Sequence, residues 1–121
     1  MNQKFEKYVS DIFKIDPKIR YVAVFDNSAK VIAGGMREGI KSLMPESITK
    51  LSADEAIIRW KSRLALKDWI GLPKYAFAEY EKIKRYTIYL DSHLILISTE
   101  LDLDSTTLIN KVYEIFENRI P

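Results

Sequence analysis

Between Ala53 and Trp69 the sequence places apolar residues on two opposite sides of one helix. At about 100° per residue, Ala53, Ala56, Ile57, Trp60 and Leu64 gather on one side. Ile58, Ala65, Leu66 and Trp69 gather on the other, with only Ser62 among them, and the charges of Asp54, Arg59, Lys61, Arg63, Lys67 and Asp68 fill the flanks. A helix with one apolar stripe is satisfied by its own domain. A second stripe asks for something beyond it. The periodicity treats the two stripes alike, so either Ile58, Leu66 and Trp69 or Trp60 and Leu64 would meet that partner. Ser52 and Glu55 have the spacing of a capping box, which starts the helix near Ala53, and Gly71 and Pro73 end it.

The segments around this helix fall into short elements. Phe5, Tyr8, Val9, Ile12 and Phe13 share one helical face, stopped by Asp16-Pro17. "IRYVAVF" (19–25) and "VIAGG" (31–35) are strand-like runs joined by the turn formers "DNSAK", so a hairpin follows the first helix. Pro45 can open a short helical turn around "PESITKL". After the middle helix, "YAFAEYE", "RYTIYL" and "LILIST" read as three strands, and Asp104 or Ser105 caps a last helix with Leu108, Val112, Ile115 and Phe116 on one stripe. The order α-β-β-α-β-β-β-α, with short connections, predicts an α+β domain. Its single antiparallel sheet of about five strands has helices on its faces, and it spans residues 1–121.

The chain has no cysteine, which removes disulfides, thiolate nucleophiles and sulfur-ligated zinc and suits a reducing compartment. Its 19 basic and 17 acidic residues are interspersed, so there is no strong pull toward nucleic acid or anionic lipid. The N-terminal "MNQKFEKYVSDIF" is too charged for the core of a signal peptide, and no apolar run approaches the roughly 20 residues of a membrane helix. A cytoplasmic protein without membrane association is expected.

The element order resembles the roadblock type of dynein light-chain domain and, more distantly, profilin-like and PAS-like domains. "KIRYVAVFDNSAKVIAGGMREGI" and "KYAFAEYEKIKRYTIYLDSHLILIST" are similar to a family of small archaeal proteins to which no activity attaches, across most of Lys18 to Thr99. The roadblock resemblance implies a non-enzymatic role. Such domains dimerise by pairing an edge strand and packing the middle helix of each subunit on the other, and they serve as platforms for small GTPases, motor subunits or signalling partners. The helix from Ala53 to Trp69 and the strand from Tyr75 are the matching elements.

Three glycines in "AGGMREG" raise the question of a phosphate loop. Gly34 and Gly39 have Walker spacing, but Ile40 separates Gly39 from Lys41-Ser42, and no parallel βαβ unit surrounds the stretch. A strand exit needing positive φ or close backbone approach at Gly34 and Gly35 accounts for it better. A softer role survives, in which Arg37, Lys41 and the N–H groups of Gly34, Gly35 and Gly39 hold an anionic group of a partner or metabolite. The plainer expectation is a solvated loop in which Arg37 pairs with Glu38 or another nearby acid.

His93 is the one histidine, and Asp91, Ser92 and His93 are too close in sequence to align as a triad. Glu79 and Glu81 alternate along a strand beside Lys82, Lys84 and Arg85, a pattern of cross-strand pairing. The aromatic and basic mixture in "YAFAEYEKIKRYTIY" lacks the motifs of a nucleic-acid platform. No catalytic, cofactor or metal site is expected. The leading expectation is a homodimeric adaptor with contacts drawn from Ile58, Trp60, Leu64, Leu66, Trp69, Tyr75 and Phe77. The alternative is a PAS-like or profilin-like sensor holding a small ligand in a closed apolar pocket between sheet and helices.

Overall fold

The segment Ile19–Phe25 is apolar on both alternating faces, so a strand built from it needs cover on both sides. The computed structural model, which describes residues 3–90 and 92–117, supplies that cover. In chain order the elements are α1 (Gln3–Phe13), β1 (Ile19–Phe25), β2 (Val31–Met36), α2 (Glu46–Leu64), α3 (Lys67–Ile70), β3 (Tyr75–Glu79), β4 (Lys84–Leu90), β5 (His93–Thr99) and α4 (Ser105–Glu117). The five strands form one antiparallel sheet in the order β2-β1-β5-β4-β3. The expected α+β architecture and its order are those observed, with α3 added.

Strand alternation sorts the core into two layers. Ile19, Val22, Val24, Tyr86, Ile88, Ile95 and Ile97 pack with Tyr8, Val9 and Ile12 of α1 and Leu108, Val112 and Phe116 of α4. Ala23, Phe25, Leu94 and Leu96 face the other way and pack with Ala53, Ala56, Ile57 and Trp60 of α2. The sheet is thus sandwiched, with two helices on one face and α2 on the other. Asp104 caps α4, its Oδ2 accepting from the Thr107 N–H at 2.9 Å and the Thr107 hydroxyl at 2.7 Å. These bonds hold the Asp104 carboxyl below the usual carboxylate range.

The middle helix departs from expectation at both ends. It begins at Glu46, because Pro45 supplies a carbonyl that accepts from the N–H groups of Ile48 and Thr49. The short turn expected at "PESITKL" and the helix expected from Ala53 are therefore one helix. Ser52 lies inside it, its Oγ buried without a partner among the described residues, and it does not start the helix. At the other end α2 stops at Leu64. Trp69 belongs to the separate four-residue α3, which closes on Gly71 at φ +88°.

Candidate functional site

The two stripes of α2 are now distinguishable. Trp60 is 5% exposed and Leu64 packs against the same core, so these two expected interface candidates belong to the contact between α2 and the sheet. That side wins because its small residues Ala53 and Ala56 let the helix lie close over Ala23 and Leu96. The opposite side is left bare, with Ile48, Leu51 and Ile58 exposed on α2 and Ile58 at 63%. Beyond its end, Leu66, Trp69, Ile70 and Leu72 extend the apolar surface, Trp69 at 79% exposure. Ile48, Leu51, Ile70 and Leu72 were not among the sequence candidates. The first two precede the expected helix start, and they join the stripe because the helix begins at Glu46.

Beside α2 lies a sheet edge. Among the described residues β3 is paired only with β4, and the bonds from Tyr89 N–H to the Lys74 carbonyl and from Tyr80 N–H to the Ile83 carbonyl set its phase. Lys74, Ala76, Ala78 and Tyr80 therefore bond inward, and the N–H and C=O groups of Tyr75, Phe77 and Glu79 point out along the free edge. The Tyr75 and Phe77 side chains project on the α1 and α4 face. Phe77 stacks on Tyr86 with ring centroids 5.4 Å apart, and Tyr75 lies 6.3 Å from Tyr113. Toward α2 the strand offers only Ala76 and Ala78, which line a shallow trench together with Ala56, Arg59 and Arg63 of α2 and with Tyr80, Arg85 and Thr87, so Arg85 borders both this trench and the groove described below.

Gly34 and Gly35 lie within β2 and not at its exit, since pairing continues to Met36. At Gly34, with φ +91°, a Cβ would stand 2.1 Å from the Val22 carbonyl oxygen. Arg37 is half-buried and its guanidinium is occupied. Nε donates to the Ile19 carbonyl at 2.7 Å, and Nη2 donates to the carbonyls of Phe13 and Asp16 at 2.7 and 2.8 Å. The same group lies 4.9 Å from the Phe13 ring centroid. The expected pairing of Arg37 with Glu38 or another acid is replaced by these carbonyls, because the chain between α1 and β1 presents three acceptors to one planar fork. Gly39 sits in the following turn at φ +84°, and the Lys41 carbonyl accepts from Arg20 at 3.1 Å.

A groove of about 730 Å³ opens between the sheet and the start of α2. Its floor is a cross-strand row, Tyr21 paired with Ser98 and Ser98 with Arg85. Met36, Leu43, Met44, Ile83 and Leu96 supply apolar walls. Burial holds the Tyr21 phenol above its ordinary pKa, with the nearby Arg85 charge acting the other way. A closed apolar pocket was the mark of the sensor alternative. The observed space is partly open and has a charged floor.

His93 begins β5, its ring centroid 4.4 Å from that of Phe5 and tilted 38° to it, with Nδ1 buried and without a hydrogen-bond partner among the described residues. Asp91 lies outside the described residues. Glu79 is opposite Lys84 across the β3-β4 pair, whereas Glu81 is in the turn beyond β3, so the two carboxylates do not share a strand face. Among the described residues no group of three or more His, Asp or Glu side chains could hold a metal ion, and no helix is long and apolar enough to cross a membrane.

No protein-family model matches the chain, and no curated protein matches it in sequence. Solved structures do match in fold. MglB in a tetrameric arrangement superposes with a TM-score of 0.76 at 12% identity, covering 97% of this chain and 85% of that one. A Roadblock/LC7 domain from Streptomyces avermitilis gives 0.70 at 9% identity, covering 93% and 92%. Profilin IA from Acanthamoeba castellanii gives 0.64 at 9% identity, covering 94% of each chain. At these identities the likeness is one of fold.

Proposed function

We propose that the chain is a non-enzymatic adaptor of the cytoplasm that acts as a homodimer and presents a surface to another protein. The observation that carries this reading is the free β3 edge lying beside the alanine-floored trench along α2. Antiparallel pairing of β3 with β3 of a second copy would satisfy the outward N–H and C=O groups of Tyr75, Phe77 and Glu79 and run one sheet through both copies. The same two-fold would lay the partner's α2 over Ala76 and Ala78, where small side chains leave room for a helix.

Ile48 falls within about 20° of Arg59 around α2 and so lies on the flank nearest the trench. Burying Ile48 and Leu66 on each copy would supply about 1.5–3 kcal/mol per side chain, before association costs. Leu51 and Ile58 point away from the sheet and would remain on the outer surface of the paired helices, the place for a further protein partner. Support also comes from the fold neighbours, of which one MglB structure is described as a tetrameric arrangement.

Sedimentation of Ala78→Trp tests the trench. The indole would fill it and shift the chain to monomer with an unchanged circular dichroism spectrum. A variant that keeps the wild-type mass would contradict the proposed packing.

A further inference from the structure

We propose that the groove beneath the start of α2 binds a small organic anion, a carboxylate head on an apolar chain or ring, with Arg85 as the residue that takes the head group. This does not rest on the dimer. Of the groove's three cations, Arg20 is already neutralised, its Nη1 2.7 Å from Glu100 Oε2 and its Nη2 bonded to the Lys41 carbonyl. Lys82 is exposed in the turn after β3, where water screens it. Arg85 differs from both. It is half-buried on the groove floor and has no ion pair or side-chain hydrogen bond among the described residues.

The residues beside Arg85 fit the same ligand. Ser98 is its direct cross-strand neighbour and Tyr21 the next one over, so an arginine, a serine and a tyrosine stand in a row across three adjacent strands on the face that lines the groove. Ser98 and Tyr21 both line the groove, and their hydroxyls lack a side-chain hydrogen bond among the described residues. A planar carboxylate matches the guanidinium fork with two parallel bonds, and the hydroxyls can donate to its remaining lone pairs. Met36, Leu43, Met44, Ile83 and Leu96 then enclose an apolar body. The acids Glu46 and Glu81 are exposed and set a rim that disfavours a second negative charge on the ligand. The volume of about 730 Å³ lies in the range of small-molecule sites.

The test is an amide-resolved NMR titration of the whole chain with octanoate, and with octanol as the neutral comparison. Octanoate is expected to give saturable shifts at Tyr21, Arg85, Leu96 and Ser98, and octanol to bind about tenfold more weakly or less. Arg85→Met is expected to weaken octanoate about tenfold and leave octanol unchanged. Tyr21→Phe is expected to weaken octanoate a few-fold, and it decides the matter together with octanol if Arg85→Met does not fold. Equal binding of octanoate and octanol, absence of saturable shifts into the millimolar range, or octanoate binding untouched by both substitutions would overturn the site. Shifts at the same amides on concentrating the protein alone, with no competition from octanoate, would assign the groove to a second copy and overturn it as well.

Discussion

The indole of Trp60 stacks on the ring of Tyr89, 5.5 Å between centroids and 12° from parallel, and this contact fixes which side of α2 faces the sheet. Arg63 reinforces it by donating from Nη1 to the Tyr89 hydroxyl at 2.8 Å. The chain's two tryptophans should therefore behave oppositely. Trp60→Ala empties a packed site and is expected to cost about 3–5 kcal/mol in denaturant unfolding. Trp69→Ala is expected to change monomer stability by no more than about 0.5 kcal/mol. Fluorescence of the two variants should show blue-shifted emission where Trp60 remains and water-like emission where Trp69 remains. The reverse assignment would mean that α2 is turned over.

Gly34 and Gly39 both have positive φ but differ in surroundings. A methyl group at Gly34 meets the β1 backbone, whereas at Gly39 nothing stands within 4 Å. Gly34→Ala should cost more than the roughly 1–3 kcal/mol of left-handed strain alone, and Gly39→Ala no more than that strain. Parallel chemical denaturation checks the order. Equal costs would remove close approach as the reason for Gly34.

Arg37 is expected to be a structural clamp between β2 and the end of α1. Arg37→Met leaves the carbonyls of Phe13, Asp16 and Ile19 without the fork and should cost about 1.5–3 kcal/mol. Arg37→Lys should recover only part of this, because one ammonium cannot reach three acceptors in a plane. Thermal shift with added phosphate should be alike for wild type and Arg37→Met. A phosphate-dependent gain seen only in wild type would return Arg37 to an anion-binding role.

Burial raises the Tyr21 phenol above its ordinary 10.0 in the folded chain. A neutral phenol favoured by folding contributes stability that is complete below the unfolded pKa. It is lost as pH rises through the folded one. Unfolding followed at increasing alkaline pH should show wild type losing stability more steeply above about pH 10 than Tyr21→Phe. Parallel slopes in the two proteins would show that Tyr21 titrates as it does when unfolded.

What was legible in the sequence followed from strict local periodicity. The β-branched and aromatic runs "IRYVAVF" and "LILIST" are legible as strands, although their cover on both faces appears only once the helices are in place. The cap of α4 is legible as Asp104 or Ser105, and the bond from the Thr107 N–H selects Asp104. The start of α2 is not legible, because Ser52 and Glu55 imitate a capping box inside a helix that Pro45 has already begun. The contacts of Arg37 are illegible for a different reason. Its acceptors, Phe13, Asp16 and Ile19, are distant in sequence and become a set only after β2 pairs with β1. The groove was equally hidden, since Tyr21, Ser98 and Arg85 are brought into one row by sheet register alone.

The most direct test of the dimer is the mass of the chain by sedimentation equilibrium at micromolar concentration, measured beside Phe77→Pro. Proline at Phe77 removes an N–H that points out of the sheet edge, so it leaves the pairing of β3 with β4 intact. Wild type is expected at twice the chain mass of 14.1 kDa, and Phe77→Pro at 14.1 kDa with the same circular dichroism spectrum. Wild type at 14.1 kDa, or a folded Phe77→Pro that still sediments at twice that mass, would contradict dimerisation through the β3 edge.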